Sequence, residues 1–143
     1  LRVHAKRQLM PQREVMLVEY EVTSENYNGP ISLLAMLGGS ENVQNWYPLM
    51  NHLGANQYWL WLQLHDIDIQ LCYAMSWQVL HNNCPIERRP IKIEKPHTIG
   101  YSLTTKIKAG ESCLLRKYVA VVDSRYHKKE NLIMDAIKCL TNL

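Results

Sequence analysis

The stretch Val18-Glu19-Tyr20-Glu21-Val22-Thr23-Ser24-Glu25-Asn26-Tyr27-Asn28-Gly29-Pro30-Ile31 decides the fold. Met16, Val18, Tyr20 and Val22 share one side and Glu19 and Glu21 the other, the period of two that a half-buried strand requires. The Ser, Asn, Gly and Pro residues that follow make a turn, and a second strand resumes at Ile31. The unit is strand, turn, strand.

The same alternation spreads outward along the chain. Ile67, Ile69, Leu71, Tyr73, Met75, Trp77 and Val79 oppose Asp68, Gln70, Ser76 and Gln78, which predicts a sheet with one wet face. From Tyr58 to Leu64, Trp59 and Trp61 oppose Tyr58, Leu60, Leu62 and Leu64, and His65-Asp66 marks a turn into the neighbouring strand. Ile99, Tyr101, Leu103, Thr105 and Ile107 alternate. Cys113 to Val122 is apolar enough for a strand covered on both faces, and Gly110 in Lys108-Ala109-Gly110-Glu111 predicts a hairpin between the two. Gly38 to Gln57 and Leu80 to Pro96, rich in Gly, Asn and Pro, read as long surface loops. In the tail, Lys128 to Leu140, the period changes to 3.6, with Leu132, Ile133, Ala136, Ile137 and Leu140 on one helical face. Many strands and one terminal helix, without alternation of the two, predict a mostly β protein: an antiparallel β-sandwich with a C-terminal α-helix.

The 143 residues suffice for one domain with its own core, spanning 1–143. A net charge of +3, with the basic residues dispersed, gives no reason to expect a nucleic-acid partner. No run of eighteen apolar residues predicts a membrane span, and the polar opening Arg2 to Arg7 does not resemble a signal peptide. Cys72, Cys84, Cys113 and Cys139 are far apart with no C-x-x-C pair, so reduced thiols and a cytoplasmic location are expected. The chain opens at Leu1 directly in strand-like sequence, which reads as part of a longer multidomain protein.

No residue is marked out for catalysis, and no cofactor or metal is expected. His81-Asn82-Asn83-Cys84 has half the spacing of a zinc site but no second pair of ligands. His65, Asp66 and Asp68 read as solvated turn residues, and no acidic pair is set apart for glycoside hydrolysis. Ser124, between Asp123 and Arg125, lies outside any nucleophile elbow; either Asp123 or Ser124 suits a turn before the helix. Trp59 and Trp61 are the candidate contact residues. Two residues apart on a strand, they put both rings on one side of the sheet, which suits a sugar platform or a domain interface, and protein packing is favoured over sugar.

Val18 to Pro30, the turn Leu37-Gly38-Gly39-Ser40-Glu41-Asn42-Val43-Gln44-Asn45, and Ala109 to Arg125 with its Gly110-Glu111, Lys117 and Ser124-Arg125 together resemble the amino-terminal β domain of glycoside hydrolase family 65. That family comprises the maltose, kojibiose and trehalose phosphorylases. Where it commonly has Leu-Asp-Gly, this chain has Leu37-Gly38-Gly39, and its opening strand region is short relative to the family, which predicts an unpaired edge. The resemblance implies a super-sandwich of the galactose-mutarotase type, preceding an (α/α) barrel that carries the active site, and a non-catalytic support role beside that barrel, with a homodimer surface. A free-standing carbohydrate-binding module is the alternative.

Overall fold

The computed structural model describes residues 1–10, 14–38, 45–53, 56–64, 67–95 and 98–141, of which 45–53 by backbone alone. Among the described residues, ten strands build two antiparallel sheets, and a helix follows the last strand. The strands are β1 (Arg2–Leu9), β2 (Val15–Thr23), β3 (Gly29–Gly38), β4 (Asn45–Leu53), β5 (Gln57–Leu64), β6 (Gln70–His81), β7 (Cys84–Pro85), β8 (Ile91–Lys95), β9 (Thr98–Ile107) and β10 (Ser112–Asp123). The large sheet runs β1-β2-β10-β6-β5-β4, with β7 added beside β6; the small sheet runs β3-β9-β8. The protein is a β-sandwich, as the alternation predicts.

Between the sheets lies the main core. Its residues come from the face assigned by alternation: Val22, Leu60, Leu62, Met75, Trp77, Val79, Cys113 and Leu115 from the large sheet, Leu33, Ala35, Ile99, Tyr101 and Leu103 from the small one. Tyr101 is the pivot, with its ring 5.6 Å from that of Trp77 and 5.5 Å from that of Tyr58. Small residues let the central strand β9 sit close to β3. A side chain at Gly100 would run into the Ala35 carbonyl oxygen and come within 2.8 Å of the Met36 Cα.

The other face of the large sheet is not wet throughout. A single 3-10 turn, Lys129–Asn131, leads into α1 (Leu132–Thr141), which lays Leu132, Ala136 and Leu140 on Val15, Cys72, Ala74, Ala120 and Val122. The small residues Cys72, Ala74 and Ala120, all fully buried, make room for the helix. Their size, rather than the alternation, marks where it docks.

Three expectations are corrected. The segment 38–57 holds β4, hydrogen-bonded to β5 as the outermost strand of the large sheet, with its register broken between Trp46 and Leu49, where Pro48 stands. An edge strand tolerates a proline at such an irregularity. The quoted turn at 39–44 and the pair His65-Asp66 lie outside the described residues. The segment 80–96 holds the end of β6, the strand β7 and the strand β8, joined first by a two-residue turn in which Asn82 (φ 48°) and Asn83 (φ 65°) both adopt left-handed conformations. Asparagine accepts these angles, and Pro85 and Pro90 fall on or just before edge strands, where a missing N–H breaks nothing.

Third, Gly110 (φ 88°) does not close a hairpin, because β9 pairs with β3 and β8 whereas β10 pairs with β2 and β6. The turn crosses from one sheet to the other. It runs beside the β2–β3 connection, which makes the reverse crossing: Ser24 N–H donates to the Glu111 carbonyl at 2.9 Å and Gly110 N–H to the Ser24 carbonyl at 2.7 Å. Asn28 Oδ1 accepts from Ala109 N–H at 2.9 Å. The two distant stretches singled out in the sequence are thus neighbours, and Ser24, fully buried, holds them together.

Candidate docking face

Among the described residues the small sheet has three strands and the large one seven, so part of the inner face of the large sheet is left bare. The register puts Leu9 opposite Met16 and Met16 opposite Val119; Ala5, Tyr20 and Leu115 are likewise aligned, as are Arg7, Val18, Lys117 and Trp77. Where these rows pass under β9 they are core. Beyond β3 they meet water: Leu9 is 78% exposed, Val3 49%, and Tyr20 and Val121 more than a third. Tyr126, after β10, adds a ring 80% exposed. Single exposed apolar residues are ordinary, but these cluster on one face.

Two recesses interrupt this face. One, about 320 Å³, lies at the β3 edge among Val18, Tyr20, Leu33, Leu115 and Lys117. Lys117 makes no hydrogen bond or ion pair among the described residues, and burial pushes its ammonium below the ordinary lysine value. The second, about 750 Å³, is bounded by Leu9, Met16, Val121, Tyr126 and His127. Here His127 is bracketed by carboxylates, Nε2 lying 2.6 Å from Glu14 and Nδ1 2.9 Å from Asp135. The hydrogen bond to Asp135, with that to Glu14, raises the imidazole above its ordinary value against the opposing effect of burial. It joins the turn before β2, the segment after β10 and α1.

The turn after β10 is built as a turn residue should build it. Asp123 Oδ1 accepts from Arg125 N–H at 2.9 Å and pairs with its guanidinium, which lowers the carboxyl pKa. Ser124 Oγ accepts from Gln70 N–H at 2.9 Å, tying the turn to β6. Asp68 is exposed and pairs with Lys129 at 3.0 Å. His81 hydrogen-bonds the Glu111 carboxylate rather than pointing with Cys84 at a shared ligand. Among the described residues, no group of three or more His, Cys, Asp or Glu side chains could hold a metal ion. The thiols are free, and burial pushes Cys72 up to about 12 and Cys113 upward, away from the reactive thiolate.

Trp59 and Trp61 lie on the opposite, outer face. Both are half-buried and pack against the cluster beneath α1. The sequence places them side by side but does not show that the terminal helix supplies their neighbours. Lys117 enters the sequence analysis only through the family resemblance, although its position two residues from Leu115 and Val119 in β10 marks it as inward-facing. Nothing local foretells the contact of His127 with Glu14, 113 residues away.

No helix among the described residues is long and apolar enough to cross a membrane. The model of the glycosyl hydrolase family 65 N-terminal domain matches residues 1–143. No curated protein matches the chain. Among solved structures, a protein from the human microbiome designated a kojibiose phosphorylase superposes with a TM-score of 0.77 at 15% identity, over 98% of this chain. The chain spans 18% of that protein's length.

Proposed function

Since the chain belongs to the N-terminal domain family of glycosyl hydrolase family 65, we propose that it is a non-catalytic support domain of a disaccharide phosphorylase or hydrolase. In this reading residues 1–143 are one sandwich domain within a longer cytoplasmic enzyme of carbohydrate metabolism, and the chemistry belongs to a downstream (α/α) barrel. The bare inner face carries the proposal. Leu9, Val121 and Tyr126 form a surface that a free-standing domain would gain by covering, and the rest of the polypeptide, or a second copy in a homodimer, is what would cover it.

The experiment is to express the remainder of the enzyme separately and mix it with this chain. Association that restores a defined complex, and that is lost in a Leu9→Lys/Tyr126→Ser variant, supports docking. Turnover of maltose, kojibiose or trehalose with phosphate by this chain alone, abolished by replacing one of its own carboxylates, would overturn the non-catalytic role.

The half-buried pair Trp59 and Trp61 favours a second reading, a carbohydrate-binding module whose outer face stacks on sugar. A saturable change in tryptophan emission with glucose, maltose or trehalose, lost in Trp59→Ala, would select it over docking.

A further inference from the structure

We propose that a cleft at the interrupted edge of β6 binds a small phosphate monoester with a hydroxylated body. This site is separate from the docking face and does not depend on it. Along one edge of β6, β5 begins at Gln57 opposite Ser76, and β7 pairs only at Leu80 and His81. Between them the edge is bridged by Trp77 N–H to the Asn56 carbonyl at 3.1 Å and by Ile86 N–H to the Val79 carbonyl at 2.9 Å. The connection from β7 to β8 then leaves for the other sheet, and a cleft of about 840 Å³ remains. That is the size of a small-molecule site.

Its walls are cationic. Arg88, Arg89 and Arg116 line it against one carboxylate, Glu87. Arg116 is committed to Glu19 of β2 at 3.3 Å, across β10 from the open edge of β6, so its guanidinium is not free for a ligand. The other two are not so committed: Arg88 makes one long hydrogen bond, 3.4 Å, to the Thr104 carbonyl, and Arg89 has no hydrogen bond or ion pair among the described residues. Two adjacent planar guanidiniums suit an oxyanion that can accept from both, which a phosphate dianion does better than a carboxylate.

Neutral polar groups complete the lining. The Gln78 amide and the Tyr118 hydroxyl belong to residues that face the cleft. Trp77 also lines it, only 6% exposed, and its indole N–H is a buried donor without a hydrogen-bond partner among the described residues. Buried donors are nearly always paired, so an unpaired one beside a cationic cleft points to an acceptor that arrives with a ligand. The cleft is several times larger than a phosphate group. The remaining space runs round the open edge of β6, past the Gln78 amide and Tyr118 phenol on the helix side of the sheet and the apolar Val79 and Leu103 on the core side, and suits a sugar-like body.

The test is an NMR titration of the purified chain with glucose 1-phosphate, inorganic phosphate and glucose, following the indole N–H signal assigned by its loss in Trp77→Phe. Glucose 1-phosphate is expected to shift that signal saturably and to bind tighter than either of its parts. An Arg88→Met/Arg89→Met variant, altered only at exposed residues and checked by an unchanged thermal melt, should bind about tenfold or more weakly. Arg89→Lys, introduced alone, should retain more affinity than Arg89→Met. Absence of a shift, or unchanged affinity in the double variant, would overturn the site. Glucose binding as tightly as the ester would remove the anion from the proposal, and inorganic phosphate binding as tightly would remove the hydroxylated body; either result refutes it as stated.

Discussion

Trp77 on β6 stacks on Tyr101 of β9, ring centroids 5.6 Å apart and planes inclined by 28°. One ring belongs to each sheet, so the pair spans the sandwich at its centre, and Tyr58 meets the same tyrosine edge-on at 5.5 Å. Flat rings bury much area with few rotors to freeze, and the offset and edge arrangements add to that burial.

Removing the shared ring should therefore cost more than removing either neighbour's contact with it. Tyr101→Ala is expected to lose about 3–5 kcal/mol of stability, the range for deleting a large aromatic from a packed core. Urea denaturation reads it. A loss below about 1 kcal/mol would mean that the two sheets are held together elsewhere.

Gly110 and Gly100 should respond unequally to the same methyl group. At Gly110 a Cβ meets nothing within 4 Å, and only the positive φ of 88° resists, so Gly110→Ala should cost about 1–2 kcal/mol. At Gly100 the added carbon collides with backbone on β3 that cannot move without parting the small sheet. Gly100→Ala should be the more damaging by a wide margin, and equal melting temperatures for the two variants would contradict the close approach of β9 to β3.

Trp61→Ala should destabilise by about 2 kcal/mol or more, less than a fully enclosed tryptophan because the ring is half-buried against the cluster under α1. Deleting α1 should loosen the same residue. If Trp61→Ala melts within about 0.5 kcal/mol of the parent, the ring is packed on nothing of consequence, and a role toward an outside ligand gains ground.

The bracketed His127 makes stability depend on pH in a stated direction. Its pKa is raised in the fold from the ordinary 6.5, first by the bond to Asp135 and also by that to Glu14. Protonated His127 therefore contributes its full stabilisation below about pH 6.5, and that contribution fades as pH rises through the folded-state value. Urea midpoints of the parent and of His127→Asn should be furthest apart in mild acid and converge in mild alkali. A gap that stays constant, or widens toward alkali, would show that the imidazole is held neutral.

The residues alone determined the period of each major element, and with it which side chains face the core. Val22, Leu62, Met75 and Ile107 lie where alternation puts them, and Leu132, Ala136 and Leu140 bury the helical stripe read from the tail. Alternation is local, set by the backbone geometry of one strand, and it survives any choice of partner. Partner choice is what the tertiary structure decided. A two-residue period reads the same whether β10 folds back on β9 or crosses to β2 and β6, so the passage at Gly110 looked like a hairpin. Edge strands β4 and β8 were obscured because edges accept the prolines that usually mark loops. The bare face beyond β3, the reach of His127 to Glu14, and the gap beside Trp77 where Arg88 and Arg89 gather depend on how many strands each sheet contains and where neighbouring strands stop. Those are relations between segments far apart in the chain, and they exist only once the sheets are assembled.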